Sequence, residues 1–91
     1  MGKDDSVDIF LNENYKVLNL LYGHECDING NRICPLTQKE IAEMMDLNIM
    51  TVNKIMKKLK SSGYIEPYNN SKGRYVLNDK AYRLIKKINN I

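Results

Sequence analysis

The stretch Leu36–Gly63, LTQKEIAEMMDLNIMTVNKIMKKLKSSG, leaves the fewest choices to the fold. In its second half Val52, Ile55, Met56 and Leu59 recur at the i, i+3, i+4, i+7 spacing of a helix with one buried stripe. Met50, Asn53, Lys54 and Lys57 then fall on the opposite side, with Lys58 and Lys60 flanking. A helix before it starts with a recognisable device. Thr37-Gln38-Lys39-Glu40 fits a capping box, in which the threonine hydroxyl and the glutamate carboxylate each accept a backbone N–H of the first turn. Ile41, Ala42 and Met45 face inward from that helix. Asp46-Leu47-Asn48 makes the turn, Leu47 filling the angle and Asn48 capping the second helix, expected over about 48–61. Gly63 can adopt the left-handed conformation that ends it.

The remaining elements are set around this pair. Residues 1–6 are expected as a disordered tail and 7–91 as a single domain, since 91 residues allow one. Val7–Leu11 is an extended lead-in or a first helical turn, and Asn12 offers a cap for a helix from about Glu13 to Tyr22. Val17, Leu18, Leu20, Leu21 and Tyr22 cover more than one stripe, so this helix is expected to be heavily buried or shared with a dimer partner. Gly23 and His24–Arg32 are expected as a loop, with a tight positive-φ turn at Asn29-Gly30. Ile33–Leu36, limited by Pro35, is a stub of edge strand. Tyr64–Tyr68 and Arg74–Asn78 are expected as strands flanking the turn Asn69–Gly73, with Ile65, Tyr75 and Leu77 on the buried side. Asn78 or Asp79 caps a last helix whose Ala81, Leu84, Ile85 and Ile88 repeat the core spacing.

Charge separates along the chain. Residues 1–36 carry three cations against six acids, and residues 37–91 eleven against five. The half with the amphipathic pair therefore holds the positive field that a polyanion partner requires, although each lysine singly can be read as a solvated face. There is no run of 18 apolar residues to span a membrane, and Met1-Gly2-Lys3-Asp4-Asp5 is unlike a secretory signal, so a cytoplasmic location is expected. The sequence holds no phosphate-binding glycine loop and no His-Glu-x-x-His, and His24 is its one histidine, so no enzyme activity is expected. His24, Cys26, Asp27 and Cys34 invite a zinc site. The two cysteines stand eight apart with no second pair, which fits no finger spacing, and reduced thiols are expected with no metal or cofactor. The six tyrosines are spread over separate elements, as packing residues rather than a stacking platform.

Helix, strand stub, helix, turn, helix, hairpin, helix is the order of a winged helix-turn-helix domain. The residues also resemble that family, particularly its MarR-like bacterial transcriptional regulators. The shared pattern is Leu36-Thr37-Gln38-Lys39-Glu40-Ile41-Ala42, then Thr51-Val52, then Leu59-Lys60-Ser61-Ser62-Gly63-Tyr64-Ile65. The resemblance implies an α+β, mostly α fold: a three-helix core, a small antiparallel β-hairpin wing over 64–78 and a C-terminal helix. It implies sequence-specific binding of double-stranded DNA by a transcriptional regulator, often as a homodimer, with helix 48–61 in the major groove. Two departures stand out. Ile49 and Met50 occupy early recognition-helix positions where such regulators often place Ser or Arg, and the long helices through which MarR proteins dimerise are missing. Winged helices also serve as protein-interaction modules, for which Ile49 and Met50 would centre a docking patch, and as the DNA-binding part of plasmid or phage replication initiators.

Within the DNA reading, base contacts are assigned to Met50, Asn53, Lys54 and Lys57. Asn53 can donate to and accept from an adenine edge, and Met50 can touch a thymine methyl. Lys54 and Lys57 can reach a guanine edge or, more commonly, a phosphate. Thr37, Gln38 and Lys39 at a helix N-terminus, with Thr51 and Lys58, are phosphate candidates; Thr37 is also a cap, and Thr51 can bond back to its own helix. In the wing, Lys72 and Arg74 flank Gly73, and Arg74 can enter a narrow minor groove.

Overall fold

The computed structural model describes residues 13–70 and 73–89. The expected 1–6 tail, the Val7–Leu11 lead-in, the Asn12 cap and the wing residue Lys72 lie outside the described residues. Four helices and two short antiparallel hairpins follow in order: α1 (Glu13–Gly23), β1 (Cys26–Ile28), β2 (Asn31–Ile33), α2 (Gln38–Met45), α3 (Ile49–Ser61), β3 (Ile65–Pro67), β4 (Tyr75–Leu77) and α4 (Asp79–Asn89). This is the α+β, mostly helical, winged helix-turn-helix arrangement.

The core is built from one face of each helix. Val17, Leu18 and Leu21 of α1 meet Ile41 and Ala42 of α2 and the stripe Val52, Ile55, Met56, Leu59 of α3; Ile65 and Leu77 from the hairpin and Ala81 and Ile85 of α4 close it. Burying each large side chain is worth about 1.5–3 kcal/mol. The back of α3, with all four stripe residues at most 6% exposed, therefore fixes its roll about its own axis. Leu20 is half-buried and Tyr22 is exposed, so α1 does not bury every apolar position.

The helix-turn-helix corner closes as its residues dictate. Asp46 takes the left-handed conformation (φ 55°), and the Leu47 amide donates to the Ala42 carbonyl at 2.9 Å. Leu47 packs, half-buried, against the core. Asn48 Oδ1 accepts from the Met50 amide at 2.7 Å, satisfying a first-turn donor of α3. At the other end the Tyr64 amide donates to Leu59 O and the Gly63 amide to Lys60 O, with Gly63 at φ 82°. These are the two bonds of a Schellman closure.

The first hairpin corrects the loop expected over Gly23–Arg32. Asn29 and Gly30 both have positive φ (53° and 84°), as a two-residue turn matched to strand twist requires, and Cys26↔Ile33 to Ile28↔Asn31 pair across it. The strands lack an apolar alternation because, apart from Ile33 and the half-buried Ile28, their residues are exposed. Polar contacts hold the hairpin instead: Arg32 Nε meets Glu25 Oε1 at 3.2 Å, and the Tyr82 hydroxyl of α4 donates to the other oxygen of Glu25. The stub expected at Ile33–Leu36 is narrower than expected. Asn31–Ile33 forms a strand, and Cys34 makes a single bridge to Tyr75, with N–H···O distances of 2.8 and 3.0 Å. That bridge ties the first hairpin to the wing.

The wing is a hairpin as expected, with Ile65 and Leu77 buried and Tyr75 half-buried. Ile65 lies opposite Leu77 and Pro67 opposite Tyr75. Both strands are shorter than the expected 64–68 and 74–78, because the chain turns at Tyr68–Asn70 with Asn69 left-handed (φ 50°). Asn78 caps α4, accepting from the Ala81 amide at 3.3 Å, while its Nδ2 donates to the Gly63 carbonyl. The end of α3 and the start of α4 are thereby joined. Among the described residues no helix is long and apolar enough to cross a membrane.

Candidate nucleic-acid interface

Three pieces of chain meet on one surface: the N-terminus of α2, the outward face of α3 and the Gly73–Tyr75 segment of the wing. The capping box at Thr37 is complete. Glu40 N–H donates to Thr37 Oγ1 at 3.1 Å, while the Thr37 amide and hydroxyl donate to Glu40 Oε1 at 2.9 and 3.1 Å. The backbone N–H of Thr37, followed by its hydroxyl, holds the Glu40 carboxyl below its ordinary range. The amide and hydroxyl of Thr37 are thus both engaged inside the box, and Thr37 is the cap of α2.

Gln38 begins α2 and faces α3. Its Oε1 accepts from Asn53 Nδ2 at 3.0 Å, a bond across 15 residues of chain. Asn53, expected to project freely, is instead half-buried and fastened to the neighbouring helix. Its second N–H and its Oδ1 remain for another partner. The bonded pair lines both of two open grooves of about 400 Å³ each. One runs toward the wing, lined by Thr37, Gln38, Asn53, Gly73 and Tyr75. The other runs along α3, lined by Gln38, Ile49, Met50, Asn53, Lys54 and Lys57.

The wing is held against α2 by close packing. Gly73 sits at φ 80°, and a Cβ there would meet Thr37 Cγ2 at 3.0 Å, so only glycine fits this approach without movement. Arg74 follows it, exposed, its carbonyl accepting from the Tyr68 amide at 2.9 Å.

All four residues assigned to base contact, Met50, Asn53, Lys54 and Lys57, line the second groove, and Lys54 and Lys57 are exposed. Of the five phosphate candidates, Thr37 and Gln38 line the first groove; Lys39, Thr51 and Lys58 line neither. Lys39 and Lys58 are exposed and Thr51 is half-buried. Two features escaped the sequence. The Gln38–Asn53 bond joins positions too far apart for any periodicity to pair, and the seat of Gly73 on Thr37 depends on how the wing folds back. A glycine after a polar turn was the one legible hint of the latter.

The side chains weighed for zinc, His24, Cys26, Asp27 and Cys34, do not form a cluster. Cys34 is buried, Cys26 is exposed on β1, and His24 Nδ1, just past the end of α1, lies 3.0 Å from the Leu20 carbonyl of that helix. Among the described residues no three His, Cys, Asp or Glu side chains come together as a metal site.

Residues 15–82, about three-quarters of the chain, match the family described as the Crp-like helix-turn-helix domain. No match was found among curated protein sequences. Among solved structures the chain is similar to the reduced (FeII) CO-sensing protein from R. rubrum, with a TM-score of 0.69 and 18% identity over 87% of this chain and 38% of that one. It is also similar to TTHA1359, a transcriptional regulator of the CRP/FNR family from Thermus thermophilus, with a TM-score of 0.65 and 18% identity over 90% of this chain and 45% of that one. Reduced CprK without ligand gives a TM-score of 0.55 at 18% identity, over 81% and 38%. The chain spans less than half the length of each, and at this identity the likeness is one of fold.

The match corrects the expected MarR-like affiliation. Within the motif behind that expectation, Thr37 and Glu40 form a cap, Leu36, Ile41, Ala42, Val52, Leu59 and Ile65 lie in the core, and Gly63 is at positive φ. Those residues specify the fold that winged-helix families share and so do not separate one family from another. The chain belongs to the Crp-like helix-turn-helix domain family.

Proposed function

We propose that this chain is the double-stranded-DNA-binding domain of a transcriptional regulator, with α3 in the major groove and the wing beside the backbone or the minor groove. The observation that carries the reading is the division of α3. Its buried stripe leaves Met50, Asn53, Lys54 and Lys57 together on the outward side, bordering one groove, with the wing and the N-terminus of α2 alongside. Membership of the Crp-like family and the transcriptional regulator among its structural neighbours support the same reading. Asn53 is proposed as the reader of an adenine edge and Lys54 and Lys57 as contacts to phosphate or guanine. Gln38, assigned to phosphate from sequence, is better suited to orienting Asn53. Lys58, Arg74 and, from its sequence position, Lys72 supply further charge beside the backbone, and Lys39 and Thr51 are lesser candidates. Binding as a homodimer to half-sites about one helical turn apart is proposed with it.

Lys54, Lys57, Lys58, Lys72 and Arg74 make five phosphate neutralisers per chain. Titration on labelled duplex over a series of salt concentrations should give log K against log salt with a slope of about −4 to −5 per chain. Lys57→Ala should weaken binding to all duplexes alike and reduce that slope by about 1. Absence of duplex binding at about 50–100 mM salt would instead support a protein-docking winged helix.

A further inference from the structure

Ile49 and Met50, at the start of α3, stand 50% and 69% exposed on a face that is otherwise cationic and amide-bearing. Ile49 is four residues before Asn53, and Met50 is four before Lys54 and seven before Lys57, so the apolar and polar groups share one side of the helix. The groove they line with Gln38 is open and mixed in character. An apolar protein surface laid there would take Lys54 and Lys57 out of water without a counter-charge. A duplex major groove meets both demands at once. Its rims carry phosphates for the lysines, and its floor carries one methyl group, the 5-methyl of thymine.

We propose that the first turn of α3 selects thymine through its 5-methyl group, with Ile49 and Met50 forming the apolar contact. The proposal rests on α3 lying in the major groove. The unbranched thioether of Met50 adapts to the methyl position, while the branched side chain of Ile49 supplies a stiffer wall. Asn53 lies three to four residues further along, about 5 Å at a rise of 1.5 Å per residue. With about 3.4 Å between successive bases of a strand, the thymine and the adenine met by Asn53 fall within about one or two base pairs. The favoured half-site thus contains a thymine and an adenine close together, where a guanine-reading recognition helix would place arginine.

The test changes the DNA and leaves the protein intact. The full chain selects duplexes from a random pool, and the tightest binder is resynthesised with each thymine in turn replaced by deoxyuridine, which removes the methyl and keeps the base pair. At one or two positions uracil should weaken binding about fourfold, the value of one buried methyl-sized group. Met50→Ala and Ile49→Ala, checked by circular dichroism for an unchanged fold, should shrink that penalty toward onefold while keeping the salt slope. Salt-dependent duplex binding with no uracil penalty at any position overturns the methyl-reading proposal and leaves DNA binding standing. Failure to bind any duplex overturns both.

Discussion

At the scale of single residues, the informative contact is the bond from Asn53 Nδ2 to Gln38 Oε1. An isolated asparagine amide can turn over and offer either end to a base. With the Gln38 carbonyl accepting from Nδ2, Asn53 keeps one N–H and its Oδ1, the pair of functions that the proposed contact to adenine N7 and N6 requires. Asn53→Ala should therefore lose about 1–3 kcal/mol of discrimination between the selected duplex and one with its A·T pair replaced by G·C. Gln38→Ala should lose part of the same discrimination, and the double variant should fall no further than Asn53→Ala alone. Strictly additive losses in that cycle would show that Gln38 acts elsewhere, on phosphate for instance. The stripe of α3 allowed the outward side of Asn53 to be read from periodicity. Its partner was not legible, since a side-chain bond over 15 residues leaves no trace in spacing.

At the scale of elements, the sequence announces helices better than it announces strands. Four helix ends are legible as a residue type at a fixed offset, Thr37 with Glu40, Asn48, Gly63 and Asn78, whereas the left-handed Asp46 that closes α2 reads from sequence only as part of a turn. The first hairpin reads as loop from sequence despite its Asn29-Gly30 turn, because strands of three residues with exposed polar side chains carry no period-two pattern. The seat of the wing makes a direct prediction. Gly73→Ala forces a side chain into positive φ and brings its Cβ to 3.0 Å from Thr37 Cγ2, so the domain should lose about 1–3 kcal/mol in chemical denaturation. DNA affinity should fall as well, as the tip carrying Arg74 shifts from α2. Unchanged stability in that variant would mean that the wing does not rest on the capping residue.

At the scale of the whole molecule, two kinds of organisation coexist. Positive charge gathers in residues 37–91, whereas the stapling of the domain draws on the acidic first half: Glu25, whose side chain is fully buried, links Arg32 of β2 to Tyr82 of α4. Burial, then the adjoining Glu25 carboxylate, pushes the Tyr82 hydroxyl up to about 12, and burial pushes the Cys34 thiol up to about 11. In the unfolded chain these groups ionise near their ordinary 10.0 and 9.0. Above about pH 9 the unfolded state thus binds fewer protons than the native one, and stability falls with rising pH. Thermal melts should show Tm level up to about pH 9 and declining through about pH 11 to 12. Cys34→Ala should flatten the earlier part of that decline and Tyr82→Phe the later part. A profile flat from about pH 9 to 11 in the unaltered protein would contradict the burial of both groups.

By itself the sequence determined the helices, their caps, the two-sided character of α3 and the sign of the field around it, because periodicity, capping and charge are local quantities carried by neighbours in the chain. Tertiary structure alone decided that Gln38 is bonded to Asn53, that Gly73 packs on Thr37 and that Glu25 links the first hairpin to α4. Those contacts join residues far apart in the chain, and they exist only once the buried faces of the helices have set the distances between their exposed ones.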